Sequence, residues 1–198
     1  MKRMNDLYLA ITLLIFSNIS YAGIMAEPYI GFNISGKSNE QTYTNSSGSY
    51  TYSNKYHGPQ MGARLGYDVL GLMGGISYNH AFYTLKEEKS GASTETDSKR
   101  NEMGVFIGYN APLIFRAWLG YSFSVKETVS DSGDYKKGSA VEIGAGYTAM
   151  PFLSINLEIK SFTYATNHSA STGTETTYAP SLKTSELVLS VGAPFNFF

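Results

Sequence analysis

Residues 113–125 read LIFRAWLGYSFSV. Taken alternately they separate into a wholly apolar set, Leu113, Phe115, Ala117, Leu119, Tyr121 and Phe123, and a mixed set, Ile114, Arg116, Trp118, Gly120, Ser122 and Ser124. Successive side chains of a strand point to opposite faces, so this is extended chain with one apolar face; a helix would place Arg116 on one stripe with Leu119 and Gly120. The run exceeds an ordinary strand of roughly five to six residues and suits the about 9 to 11 residues with which a tilted strand crosses a bilayer. Arg116 has no acidic residue within eight positions on either side. Its counter-charge has to come from another part of the fold, because an unpaired buried charge is costly.

The same pattern recurs. MGARLGYDV from Met61, MGVFIGYNA from Met103 and EIGAGYTAM from Glu142 each close on Gly-Tyr and a polar residue. Each then passes a few turn residues (DVLG, NAP, TAMP) into a second alternating run: Leu72 to Thr84, Leu113 to Val125, and Phe152 to Tyr164. The repeated tyrosines are 42 and then 38 residues apart, close to a propeller blade, but a blade needs four strands and these units hold two. Each unit is a hairpin. Between them lie polar stretches, 86–99 and 126–138, and two more follow PYIGFNIS (28–35) and precede SELVLSVGAPFNFF at the end of the sequence. One strand, three hairpins and one strand make eight, with short turns on one side and long polar connections on the other.

That asymmetry predicts an all-β fold, an eight-stranded antiparallel up-and-down transmembrane β-barrel, since only a closed sheet leaves no unpaired backbone in hydrocarbon. An eight-stranded sandwich or lipocalin-type barrel is the soluble alternative, and would not need strands this long. Composition agrees: charged residues are 16% of the chain, while Gly (20), Tyr (16) and Phe (11) are abundant. There is no cysteine.

The opening MKRMNDLYLAITLLIFSNISYAG has Lys2 and Arg3 before an apolar block, Leu7 to Phe16, and Ser20 and Ala22 at the spacing of a cleavage site. The expected organisation is a signal peptide over 1–22 and an outer-membrane barrel domain over 23–198. Without Lys2, Arg3 and Asp6 the chain keeps 13 basic and 15 acidic residues, a formal charge of −2, which does not suggest nucleic acid.

PYIGFNIS, the strand ends LGYDV and IGYNA, and the aromatic C-terminus resemble the small outer-membrane barrel domain of OmpA-type and OmpX-type proteins over residues 26–198. The resemblance implies export to the bacterial outer membrane and a non-enzymatic barrel displaying four extracellular loops, serving envelope integrity and adhesion. It also implies outer-membrane lipids, including lipopolysaccharide, as surroundings, recognition by the barrel-assembly machinery through the last strand, and a host or surface ligand for the loops. In that family the apolar face usually includes the terminal Phe; here Phe197 continues the apolar parity and Phe198 overhangs.

The parity also sorts the charges. Arg64, Glu102 with Arg100 at the rim, Arg116, Glu142, Glu158, Lys160 and Glu186 all fall on the mixed face, which predicts a charge network inside the lumen. An outward Arg or Lys at mid-membrane would cost about 2 to 4 kcal/mol. Glu102 and Glu142, on the segments flanking that of Arg116, are the expected partners. Such a network is read either as a structural plug or as a gate or proton path, and the narrow interior of an eight-stranded barrel favours the plug. Tyr67, Tyr109, Tyr147, Phe195 and Phe197 at the inner strand ends, with Phe82, Tyr121 and Phe123 toward the outer ends, are read as interfacial aromatic girdles.

No cofactor, metal or catalytic set is expected. His57, His80 and His168 lack ligand spacing. His168-Ser169 resembles the His and Ser of lipid A deacylases only as a pair, with no third member. Asn45-Ser46-Ser47 and Asn167-His168-Ser169 match a glycosylation pattern that a bacterial outer membrane would leave unused. The alternatives to a scaffold are a narrow channel for ions or small solutes and a lipid A-modifying enzyme.

Overall fold

The computed structural model describes residues 22–45, 48–89, 92–111, 115–130, 132–150 and 152–197. Of the expected leader only Ala22 falls within these; residues 1–21, Ile114, Ser46, Ser47 and Phe198 lie outside them. Ten strands follow in order: β1 (Ala22–Ser38), β2 (Gln41–Asn45), β3 (Gly48–Val69), β4 (Leu72–Lys89), β5 (Ala92–Asn110), β6 (Phe115–Val129), β7 (Tyr135–Met150), β8 (Leu153–His168), β9 (Glu175–Gly192) and β10 (Phe195–Phe197).

Eight of these form the barrel. Antiparallel pairing runs β1-β9-β8-β7-β6-β5-β4-β3, and β3 pairs back onto β1, closing the sheet. β10 continues β9 in the same register, since Tyr29 faces Gly192 and, five residues along, Ile24 faces Phe197. The break between them falls at Pro194, which has no N–H for the ladder. β2 carries the line of β1 onward along β3, where Lys37 faces Lys55 and, shifted by one residue, Gln41 faces Tyr52.

The polar stretches expected as loops are largely hairpin extensions of the barrel. β4 runs to Lys89 and β5 starts at Ala92, so most of 86–99 is paired strand. The ladder satisfies backbone groups wherever two strands stay adjacent, and Ser and Thr side chains tolerate that conformation on a wetted surface.

At the other end the turns are tight. Leu70 and Gly71 join β3 to β4 with φ of 56° and 81°, the pair of positive angles of a type I′ hairpin. The Asp68 carboxylate accepts from the Gly71 N–H at 3.1 Å.

Each Gly-Tyr repeat puts its tyrosine outward and its glycine inward. The inward glycines make room for large lumen side chains. A Cβ on Gly144 would stand 2.1 Å from the Trp118 ring, so only glycine lets that indole lie against the wall. Met25, Met73, Phe106 and Trp118 cluster in the inner part of the lumen, and Val125, Ala140, Phe162, Tyr164 and Leu182 in its outer part.

Candidate functional site: the charged lumen

Alongside those apolar clusters the lumen holds Glu27 on β1, Arg64 on β3, Arg100 and Glu102 on β5, Arg116 and Glu127 on β6, Lys136 and Glu142 on β7, Glu158 and Lys160 on β8, and Glu186 on β9. All are buried except Lys136 and Glu142, which are partly so. They form three tiers.

In the inner tier Arg116 pairs with Glu27. Its Nη1 donates to Glu27 Oε2 at 2.9 Å and its Nη2 pairs with Oε1. Nη2 also donates to Asn156 Oδ1 at 2.7 Å and to Ser154 Oγ at 3.1 Å. The expectation of Glu102 or Glu142 as its partner is corrected. Being on a neighbouring strand is not enough: Arg116 is level with Asn110 and Gly146. Glu102 lies eight residues from the first and Glu142 four from the second, about 26 and 13 Å along the strands. Glu27 is at the right height on β1, four strands round the ring, and the interior of an eight-stranded barrel is narrow enough for side chains to meet across it.

Arg64 completes this tier. Its Nη2 donates to Glu158 Oε1 at 2.7 Å and to Glu142 Oε1 at 3.3 Å, and its Nη1 reaches Glu27 Oε2 at 3.5 Å. The guanidinium lies between the Trp118 and Tyr29 rings, 4.3 and 4.6 Å from their centroids.

The middle tier centres on Arg100, expected at the rim but fully buried. It holds Glu186 in a fork, Nη1 to Oε1 at 2.6 Å and Nη2 to Oε2 at 2.7 Å, and donates from Nε to Glu102 Oε1 at 2.8 Å. Tyr83 supplies a hydroxyl to both Arg100 and Glu186. Lys160 Nζ sits among Glu102 (3.1 Å), Glu142 (3.6 Å) and Glu158 (3.8 Å).

The outer tier lies above the apolar band. Lys136 Nζ donates to Glu127 Oε1 at 3.1 Å and the Tyr164 hydroxyl to Oε2 at 2.6 Å. Burial pushes the Glu127 carboxyl up, but Lys136 and Arg100 more than offset it, and the group is held below its usual range. Burial likewise works against the Lys136 charge, and Glu127 reverses it.

Glu27, Glu127 and Lys136 were missed in the sequence. Glu27 immediately precedes PYIGFNIS and shares the parity of Tyr29 and Gly31, so extending that segment by one residue would have found it. Lys136 shares the parity of Glu142 but lies in the polar stretch. Glu127 was hidden by a register shift between Ser122 and Val125, which moves Ser124 outward and turns Val125 and Glu127 inward.

The proposed girdle residues Tyr67, Phe82, Tyr109, Tyr121, Phe123, Tyr147, Phe195 and Phe197 are all exposed on the outer wall. Phe115 packs on Tyr147 and Phe195 on Phe197, with centroids 5.6 and 6.4 Å apart. His80 faces outward beside Phe82 and bonds Asn101. The His168 ring stacks on Tyr135 at 4.5 Å, while the Ser169 hydroxyl meets that of Ser171. Among the described residues no group of three or more His, Asp or Glu is arranged to hold a metal ion. The arginine and carboxylate groups of the lumen are engaged with one another, and the Ser154 hydroxyl is buried and donates to Glu27 at 2.9 Å.

No family model and no curated protein matches the sequence. Solved structures do. Neisserial surface protein A superposes with a TM-score of 0.53 at 17% identity, over 89% of this chain and all of that one. The attachment invasion locus protein of Yersinia pestis, solved in complex with the heparin analogue sucrose octasulfate, superposes at 0.52 and 12% identity, over 87% of this chain and 99% of that one. The fold is that of the small outer-membrane β-barrels. At these identities the likeness is one of architecture, and function has to be argued from the residues.

Proposed function

We propose that this chain is a bacterial outer-membrane protein, exported through a cleaved leader over 1–22, whose plugged barrel is a non-enzymatic scaffold presenting four extracellular hairpins for envelope integrity and attachment. The observation that carries this is the separation of faces. At mid-height the outer wall is Ile30, Leu65, Ile76, Val105, Leu119, Ile143, Leu157 and Leu189, all exposed, while the ionised groups of the same strands turn inward. In water such a wall would be a large apolar patch; in a bilayer it is the required surface. The aromatic residues above and below it serve as interfacial girdles.

The lumen supports a plug over a channel. Its charges are matched in tiers, and three buried apolar clusters, the third made by Tyr56, Ala81, Tyr83 and Leu85, occupy the same narrow space. Attachment is supported by the paired, tyrosine- and threonine-bearing hairpins, which form a rigid adaptable surface. It is also supported by the resemblance in fold to a protein whose name records attachment and invasion. Lipopolysaccharide surrounds the wall, and the β9–β10 edge segment with its outward Phe195 and Phe197 is offered to the barrel-assembly machinery.

The test is conductance of the refolded mature chain in a planar bilayer, together with the surface binding of cells lacking it. A silent bilayer and a loss of binding are expected. Steady openings that Arg116→Ala alters would replace the scaffold reading with that of a narrow channel.

A further inference from the structure

The uncharged polar side chains of the lumen fall into two sets, and only one of them is closed on itself. In the inner tier Asn156 accepts from Arg116 and donates to Ser190 Oγ at 3.3 Å. Ser190 donates in turn to Glu158 Oε1 at 3.1 Å, and Ser154 to Glu27 Oε1 at 2.9 Å. Each of these side chains is spoken for by its neighbours.

The lumen side of β3 is different. Asn54 and Gln60 turn inward and are buried, six residues or about 20 Å apart along the strand. Asn33 of β1, opposite Gly58, joins them and is fully buried where β1 bulges and turns both Ile34 and Ser35 outward. Asn54 Oδ1, Gln60 Nε2 and both amide atoms of Asn33 have no hydrogen-bond partner among the described residues. Gln60 Oε1 accepts from Asn79 at 3.2 Å, which leaves its Nε2 over. On the rung of Asn33, beyond Val188, Glu158 Oε2 also makes no hydrogen bond and lies 3.8 Å from Lys160 Nζ. The bore also holds water-sized space, since Glu142, between Arg64 and Lys160, keeps 14% of its side chain exposed. Buried polar groups are paired with protein or with ordered water, because leaving them unmet is costly.

We infer that the outer half of the lumen binds a file of ordered water, which enters past Asn54, is held by Gln60 and Asn33, and stops at Glu158 above a floor made by the inner tier. The inference deepens the plug reading and rests on it. The chemistry of the strip selects water. Its free atoms are both donors and acceptors, Asn54 Oδ1, Gln60 Nε2, Asn33 Nδ2 and Oδ1, and Glu158 Oε2. A molecule that both donates and accepts can bridge them, and a buried water takes roughly two to four such partners. An anion would meet Glu158 and Glu186, and a cation Arg100 and Lys160. The barrel is then a well closed at one end. Its barrier is the inner tier with the Met25, Met73, Phe106 and Trp118 cluster, and Glu158 and Lys160 exchange protons with the outer side alone.

The full mature chain, isotope-labelled, is refolded into phosphatidylcholine bilayers, and magnetisation transfer from water to single side chains is followed by solid-state NMR. Transfer to the side-chain amides of Asn33, Asn54 and Gln60 rises with that to Asn39, which is exposed, whereas the Asn156 amide receives none over the same mixing times. Asn33 and Gln60 as dry as Asn156 would overturn the well and leave the plug standing. Asn156 wetted with the others would mean that the floor is open, and the plug reading fails together with the closed well. Asn33→Leu/Gln60→Met tests the route, since Asn79 keeps its bond to Glu102 at 3.1 Å. The variant loses water transfer to the Glu158 carboxyl carbon, and transfer retained there overturns the file along Gln60 and Asn33. The wild-type comparison decides without the variant.

Discussion

Removing Arg116 alone should unfold the inner tier more effectively than removing it together with its partner. In Arg116→Met the methionine keeps much of the packing against Trp118, whose ring lies 5.3 Å from the guanidinium carbon. Glu27, 1% exposed, then keeps only the Ser154 hydroxyl at 2.9 Å and Arg64 at 3.5 Å. Breaking a buried ion pair from one side costs about 3–5 kcal/mol, because the surviving charge is left desolvated. The remaining contacts set the expectation near about 3 kcal/mol. In Glu27→Gln/Arg116→Met no orphan charge remains, and about half or more of that loss should return, a coupling of the size seen between contacting residues. Equilibrium unfolding in guanidinium from lipid vesicles can be followed by Trp118, the sole tryptophan, which sits in this tier. A cost below about 1 kcal/mol, the worth of a surface pair, or a double variant weaker than the single one, would refute the cross-lumen pairing.

Three further outcomes follow from geometry. Leu70 holds a positive φ that asparagine tolerates far better, so Leu70→Asn should raise the unfolding free energy by about 1 kcal/mol in the same titration. Ile143→Arg, on the lipid face between Leu119 and Ile159, should cost about 2–4 kcal/mol, whereas Thr163→Arg, two turns of the pleat nearer the outer rim, should cost no more than about 1 kcal/mol. Lys136 and Arg100 hold the Glu127 carboxyl below the usual carboxylate range, so its contribution is complete above that range and is lost as pH falls through the lowered folded-state value. Glu127→Gln should therefore flatten the acid limb of the stability–pH curve, and an unchanged limb would show that the outer tier does not titrate there.

How much of this was legible depended on whether an observable needed one strand or several. Alternation within a run is local, so the strand count, the inward turn of Arg64, Glu158 and Glu186, and the outward turn of Tyr67 and Tyr109 could be read without knowing what packed where. The partner of Arg116 could not, because the ladder register sets height and register depends on turn geometry and bulges. Glu127 shows the same limit inside a single strand: one shift near Ser122 inverts every later residue, and nothing in SFSVKE marks where it falls. The hairpin extensions were hidden for another reason. Ser- and Thr-rich segments such as STETDSK lack an apolar face, yet paired backbone holds them in strands where β4 and β5 run on together beyond the apolar wall.

The two spokes across the bore, Arg116 to Glu27 and Arg100 to Glu186, join residues 89 and 86 positions apart. Neither can form within a hairpin, nor within a half-curled sheet. On the outer-membrane reading proposed above, a fragment entering the membrane early would carry bare ions into oil with nothing to meet them. The chain is thus committed to curling as a unit, late and cooperatively, and the seam between its first and last strands becomes the step that decides whether every earlier insertion was tolerable.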